Sequence, residues 1–163
     1  SANNADRTNR VAPGTTGSMT FSIGGTAEVK SKIEVSLTGN DVVLKYTTAT
    51  VTDGEYAPVK WTLKKTGGTG TLLNGGTFAQ LTTELAKLNA TVEANAAYAN
   101  AGEYTIEWAW AYESGNDALD TFLGTIANTP ATTTDGTYTK ATGTTTAISF
   151  NLSVSVTQLK GNE

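Results

Sequence analysis

The chain of 163 residues has 11 Lys and Arg against 15 Asp and Glu, a net charge of −4, and contains neither His nor Cys. These counts exclude His/Cys zinc sites, nucleophiles activated by His, thiol redox chemistry and His-ligated haem, and the acidic balance argues against a nucleic-acid partner. No apolar run approaches the ~20 residues of a membrane span. Because the chemistry of His and Cys is excluded, we expect a non-enzymatic protein that requires no cofactor.

Threonine accounts for 32 residues and Gly for 17, while charged residues make up only 16% of the chain. Threonine is β-branched and favours strands. This composition is typical of an extracellular β-protein whose surface is covered by hydroxyl groups. The chain begins with Ser, which fits either removal of a signal peptide or a trimmed chain. The composition leads us to expect a protein that is extracellular or at the cell surface.

The first ten residues are polar, and Ala2 and Ala5 are their only apolar side chains. Such a segment cannot bury enough surface to fold by itself. Pro13-Gly14 is a turn signal. From composition alone, residues 1–12 are either a disordered leader or an extended segment that a partner holds, and residues 13–163 are predicted to form one domain.

Alternation of apolar and polar residues predicts a series of half-buried strands in this domain. The first follows Met19, Phe21 and Ile23, and the segments 33–37 and 42–46 predict a hairpin around the turn Gly39-Asn40-Asp41. Further strands are predicted at 59–63, at 104–110 and, most regularly, at 148–156.

Two segments depart from the period of two. Apolar residues from Phe78 to Leu88 are spaced three, four and three apart. They predict a helix over 78–88 with Thr77 and Gln80 as a capping box. Residues 116–124 predict one or two further helical turns that end at Gly124, and the Thr-rich segment 128–143 is predicted to be a loop. The predicted fold class is all-β, a jelly-roll β-sandwich with one main short helix and an extended N-terminal segment.

Three stretches resemble the TasA/camelysin family of secreted fibre-forming proteins. They are residues 12–23, residues 104–113 continuing through 117–124, and residues 150–159, in the expected order. The most specific part is Trp108-x-Trp110 followed by Asp117-x-x-Asp120-Thr-x-Leu-Gly.

The resemblance implies an exported jelly-roll subunit whose freed N-terminal segment inserts as a strand into the next subunit of an extracellular fibre. Archaeal bundling pili and tube-forming cannula proteins are similar in this respect. A donated strand is held by main-chain hydrogen bonds while small side chains fill shallow pockets. We therefore expect a head-to-tail homopolymer, with neighbouring filaments as further partners. The expected donor residues are Ala2, Ala5, Val11 and Ala12, and the expected acceptor groove is formed by Ile148, Phe150, Leu152, Val154 and Val156.

Glu113, Asp117 and Asp120 form an acidic cluster in the sequence. Calcium takes several oxygen ligands, so these carboxylates are a candidate calcium site; the alternative is helix capping by Asp117 with the other two in solvent. Asp53 with Glu55 is a second, weaker candidate. Camelysin-like proteins have been classed with metalloproteases, but that activity is not expected of a chain without a His-Glu-x-x-His motif.

The aromatic residues allow two interpretations. They either pack in the core or form a platform on which sugars stack; the second describes the alternative function, a monomeric cell-surface carbohydrate-binding β-sandwich module. The residues concerned are Trp61, Trp108, Trp110, Tyr112 and Tyr56. Two acceptor sequons, at Asn89 and Asn151, are candidate glycosylation sites.

Overall fold

The structure, a computed structural model, describes residues 3–68, 70–128 and 134–160. This part of the chain consists mainly of strands, with two helices. In chain order the elements are β1 Asn3–Arg10, β2 Thr16–Ile23, β3 Ser31–Asn40, β4 Leu44–Thr47, β5 Gly54–Tyr56, β6 Val59–Lys65, β7 Thr71–Gly76, α1 Phe78–Ala86, β8 Ala90–Val92, β9 Gly102–Trp110, α2 Asp117–Asn128, β10 Thr139–Lys140 and β11 Ala147–Gln158.

The strands form three antiparallel sheets. One four-stranded sheet has the order β1-β11-β3-β8, and the other has the order β2-β9-β6-β7. A small sheet has the order β10-β4-β5. The predicted all-β class is confirmed.

The core lies between the two four-stranded sheets, where aromatic side chains from both meet. The ring of Phe150 on β11 lies 5.9 Å from that of Trp61 on β6 and 5.5 Å from that of Trp108 on β9. Each such ring pair adds about 0.5–1.5 kcal/mol beyond the burial of its area. Helix α1 contacts β3, β6 and β7 and so reaches both sheets, with Leu81 and Leu85 fully buried.

Strands with strict alternation were predicted correctly, because burial on one face leaves a clear signal in the sequence. β2, β6, β9 and β11 cover the predicted segments. The capping box of α1 is also confirmed: the Thr77 hydroxyl accepts from the Gln80 N–H, and the Gln80 side chain accepts from the Thr77 N–H. The helix ends at Ala86, two residues before the predicted end.

The predicted hairpin around residues 39–41 is wrong. β3 pairs with β11 and β8, whereas β4 belongs to the small sheet. Gly39 has a φ of +134°, and a Cβ there would overlap the Ser149 carbonyl oxygen. Gly39 is therefore a strand residue that lets β3 and β11 approach closely, and β3 continues to Asn40 before the chain leaves the sheet.

The second helix is longer than predicted, because α2 runs through Gly124 to Asn128. Its apolar side continues on both sides of that glycine, with Phe122, Leu123 and Ile126 all buried. Burial of this side outweighs the roughly 1 kcal/mol that a glycine costs within a helix. In the predicted 128–143 loop, β10 pairs with β4.

Candidate functional site

The N-terminal strand β1 lies at the edge of its sheet and pairs antiparallel with β11. The ladder runs from Asn3 opposite Val154 to Arg10 opposite Ala147. On its other side β11 pairs with β3 over ten residues. The predicted donor segment and the predicted acceptor strand are thus brought together within one chain.

The inward side of β11 forms part of the core. Ile148, Phe150, Leu152 and Val154 are all buried, whereas Val156, the fifth predicted acceptor residue, is 47% exposed. Val156 lies beyond the end of the β1 ladder. The four buried residues are the part of the predicted groove that β1 flanks.

The residues that β1 places opposite these four core positions are almost all polar. The register sets Asn3 against Val154, Ala5 against Leu152, Arg7 against Phe150 and Asn9 against Ile148. Directly opposite residues lie on the same face of a sheet, so Ala5 is the one apolar residue among the four. The ladder with β11 thus sets a mostly polar sequence alongside the core row. Ala2, the other small residue predicted for the donor, lies outside the described residues.

A fixed turn connects β1 to β2. Val11 is buried, Ala12 is exposed, and the Ala12 N–H donates to Thr15 Oγ1 at 3.0 Å. Gly14, at a φ of +87°, donates its N–H to the Trp110 carbonyl at 2.8 Å. Val11 and Ala12, both predicted as donor residues, thus lie in the turn from which β1 departs.

The acidic cluster centres on Asp120, which is only 6% exposed. Its Oδ1 accepts hydrogen bonds from the Tyr56 hydroxyl at 2.6 Å and from Trp110 Nε1 at 3.0 Å. Its Oδ2 accepts from the Ser114 hydroxyl at 2.5 Å. Burial, followed by the bond to Asp120, raises the pKa of Tyr56 to about 12. Asp120 thereby ties α2 to β5 and β9.

Glu113 and Asp117 are exposed and line, with Asp120, a surface depression of about 450 Å³. Within the described ranges, no three carboxylates are arranged to hold a metal ion, and Asp120 already has three protein donors. A calcium site at Glu113, Asp117 and Asp120 stays a prediction. Glu55, from the weaker candidate pair, forms an ion pair with Lys45.

The predicted aromatic platform does not form at the surface. Trp61, Trp108 and Trp110 are 0%, 4% and 2% exposed, so the core-packing interpretation is confirmed for all three. Tyr56 is half-buried and bonded to Asp120, whereas Tyr112 is 79% exposed. Stacking of sugars on the tryptophans is excluded by their burial.

Among the residues whose burial is described, one buried carboxylate was not singled out from the sequence. Asp41, 8% exposed, follows β3, and its Oδ1 accepts from the Val42 N–H at 2.8 Å. Burial raises the pKa of Asp41 to about 6, although the Val42 N–H, the Trp61 indole and Lys60 act in the opposite direction. The Trp61 N–H faces this carboxylate without the geometry of a hydrogen bond and has no other partner in the described part of the chain. The sequence Gly39-Asn40-Asp41 is typical of an exposed turn, so burial of Asp41 was not predicted.

The two sequons lie in different surroundings. Asn89 is exposed, and its Oδ1 accepts from the Val35 N–H of β3 at 2.6 Å. Asn151 is half-buried on β11 between Asp6 and Thr38 of the flanking strands. Glycosylation at both stays a prediction.

Comparisons of the chain with protein-family models, with curated proteins and with solved structures find no match. Neither helix of the described residues is long and apolar enough to cross a membrane.

Proposed function

We propose that this chain is a structural subunit of an extracellular filament, a jelly-roll of the TasA/camelysin type that is exported with a cleaved signal peptide. The subunits polymerise when β1 of one chain takes the place of β1 in the next. The observation that carries the proposal is the β1–β11 ladder, in which a polar N-terminal edge strand flanks four buried residues of the longest strand.

The ladder makes exchange between chains physically reasonable. A donated β1 forms the same main-chain hydrogen bonds with β11 of its neighbour as with its own, so the exchanged state costs little in contacts. Eight residues at roughly 3.3 Å each span about 26 Å, enough to reach an adjoining subunit. Because donor and acceptor are different surfaces, the contact is head-to-tail and extends into an open filament.

An empty acceptor is unfavourable. Without β1, the outer edge of β11 exposes unpaired main-chain groups together with the flank of its buried row, which includes Phe150 and Leu152. Filling this edge stabilises the subunit by an amount that grows with the logarithm of the donor concentration. The stability of each subunit then becomes part of the stability of the fibre.

The sharpest test uses two single cysteine variants, because the chain has no Cys of its own. Thr8 lies opposite Ser149 in the ladder, at a separation that a disulfide spans. Thr8→Cys and Ser149→Cys proteins, mixed under oxidising conditions during assembly, should form a mixed disulfide dimer on a non-reducing gel. Thr8→Cys mixed with Ser155→Cys, which lies beyond the ladder, is the matched control and should not. Equal cross-linking in both mixtures would contradict strand donation.

Electron microscopy gives the complementary test. The intact chain should form filaments, and a chain lacking residues 1–10 should not. Filaments from both would keep the structural role but rule out β1 as the donor. Growth that requires calcium would point to the carboxylates of Glu113, Asp117 and Asp120 as its ligands.

One observation favours the second candidate, a monomeric carbohydrate-binding module. Tyr112 is exposed beside Glu113, and an aromatic face with a nearby carboxylate suits a sugar ring. A chain that stays monomeric, and binds glycans in a screen that Tyr112→Ala abolishes, would establish this function instead.

A further inference from the structure

Strand β2 is an edge without the features that normally protect an edge. Its eight residues, Thr-Gly-Ser-Met-Thr-Phe-Ser-Ile, include no charged residue and no proline. One side pairs with β9 throughout, without a register shift, and nothing in the described part of the chain pairs with the other side. Natural edges are usually protected by lysine, proline, a bulge or short length. β2 has none of these.

The main-chain groups on the free side can be assigned from the ladder. The Trp110 N–H donates to the Thr15 carbonyl at 2.9 Å, so the odd-numbered residues of β2 direct their main-chain groups to β9. In an antiparallel ladder these groups alternate from residue to residue. Thr16, Ser18, Thr20 and Ser22 therefore direct their N–H and C=O groups outward.

We propose that this edge binds the same edge of a second copy of the chain, antiparallel, about a two-fold axis at Met19. That register sets Thr16 against Ser22 and Ser18 against Thr20 of the other copy. All four outward residues of each strand are then paired with outward residues of the other copy. A shift of two residues in either direction leaves only three of them paired.

The side chains fit this register. The outer face brings together Thr and Ser hydroxyls without any charge. On the inner face, Phe21 falls opposite Gly17 of the other copy. A Cβ at Gly17 would overlap the Trp108 indole, so that ring already reaches the edge. Phe21 is half-buried and stacks on Tyr104 at 5.4 Å. The contact therefore extends the aromatic layer of each subunit to its partner.

This contact does not depend on β1. A two-fold contact uses the same surface on both partners and closes as a dimer. Between filaments, it would join subunits side by side.

The test uses a chain in which β1 cannot be exchanged. A Thr8→Cys/Ser149→Cys double variant is oxidised and purified as a monomer with an internal disulfide. This monomer retains its own β1 even if strand donation occurs in the unmodified protein. Sedimentation at rising concentration should show a dimer. Thr20→Pro removes one outward N–H per copy, and proline is tolerated at a free edge. It should weaken dimerisation more than about tenfold.

Thr20→Val is the matched control. Like Thr20→Pro, it loses the hydroxyl that bonds to Thr105 at 3.1 Å, but it keeps the N–H and should still dimerise. A monomer at every concentration in the locked protein, or equal dimerisation of the Pro and Val variants, would overturn the proposal.

Cross-linking tests the register without relying on a proline. In the locked background with cysteines already oxidised, Ser18→Cys and Thr20→Cys proteins are mixed under mild oxidation. The mixed disulfide should form faster than either homodimer, because residue 18 of one copy faces residue 20 of the other, and neither residue faces its own equivalent. Equal rates for the three products would exclude this register.

Discussion

β1 and β2 are neighbours in the chain and equal in length, yet their sequences differ at the positions in line with the core. Each has eight residues, lies at the edge of a four-stranded sheet and pairs with one strand of it. β2 buries Met19 and Ile23 in the core. β1 sets Asn3, Arg7 and Asn9 opposite core residues, with Ala5 as the one apolar residue in the same row. Two edge strands of the same length can thus pair along a full ladder with very different residues opposite the core row.

The largest effect is expected where β2 enters the core. Ile23 is 4% exposed, and Ile23→Ala should lower the free energy of unfolding by about 2–5 kcal/mol, as measured by denaturant titration. Ser22→Ala, on the exposed face, should change it by less than about 0.5 kcal/mol. Asn9→Ala in β1 should also have a small effect. A loss at Asn9 as large as that at Ile23 would remove the contrast between the strands.

The next effect concerns Asp41 and its dependence on pH. The pKa of Asp41 is raised from 3.8 to about 6 in the folded protein, so the native state holds this proton more tightly than the unfolded chain. The free energy of unfolding should therefore fall as pH rises from about 4 to about 6, by about 3 kcal/mol in total. Asp41→Asn should abolish this loss, as measured by urea titration at pH 4 and pH 7.5.

Asp53→Asn, at an exposed position, is the control for the change in net charge and should leave the pH dependence unaltered. A chain lacking residues 1–10 should show the same dependence as the intact chain, because Asp41 lies outside β1. Loss of the dependence on truncation would mean that β1 shields Asp41.

A smaller effect is expected at the bonds that fix α2. Tyr56→Phe removes the hydroxyl that donates to Asp120 at 2.6 Å, and a hydrogen bond to a charged group contributes about 1.5–3 kcal/mol. Thermal unfolding should show the loss. Tyr46→Phe, at another half-buried tyrosine for which no such bond is seen in the described residues, should have little effect. Filament formation by Tyr56→Phe at low temperature should be normal, since β1 is untouched.

The smallest effect is expected from a substitution that makes β1 more apolar and so more like β2. Ala5 lies opposite Leu152, and Ala5→Val adds apolar surface worth about 1 kcal/mol or less at that position. The mixed Thr8–Ser149 disulfide should then form a few-fold more slowly from pre-folded monomers. Ala5→Ser is the control, because the Ser side chain is similar in size to that of Ala and adds no apolar surface. Unchanged rates in Ala5→Val would show that the main chain alone sets the exchange rate.

Local signals in the sequence predicted local features well. Thr77 and Gln80 lie three residues apart and need only each other to form the capping box. Alternation along residues 148–156 requires only that one face be buried. Both features are determined within a single element, so neither depends on the rest of the fold.

Features that depend on distant partners were missed. Gly39 resembles a turn residue, and its role became apparent only with Ser149, 110 positions later, against it. The sequence placed Asp120 in an acidic cluster, and its bond to the Tyr56 hydroxyl, 64 positions earlier, became apparent only in the fold. The sequence showed that the N-terminus is polar, but which core residues it lies opposite required the register with β11.

The position of the tryptophans has an optical consequence. All three indoles are buried, and those of Trp61 and Trp108 have their centroids 5.8 Å apart. Indoles held rigidly in an asymmetric environment give a strong near-ultraviolet circular dichroism signal. β1 contains no aromatic residue. The protein thus carries its own spectroscopic reporter, whose chromophores all lie outside the first strand.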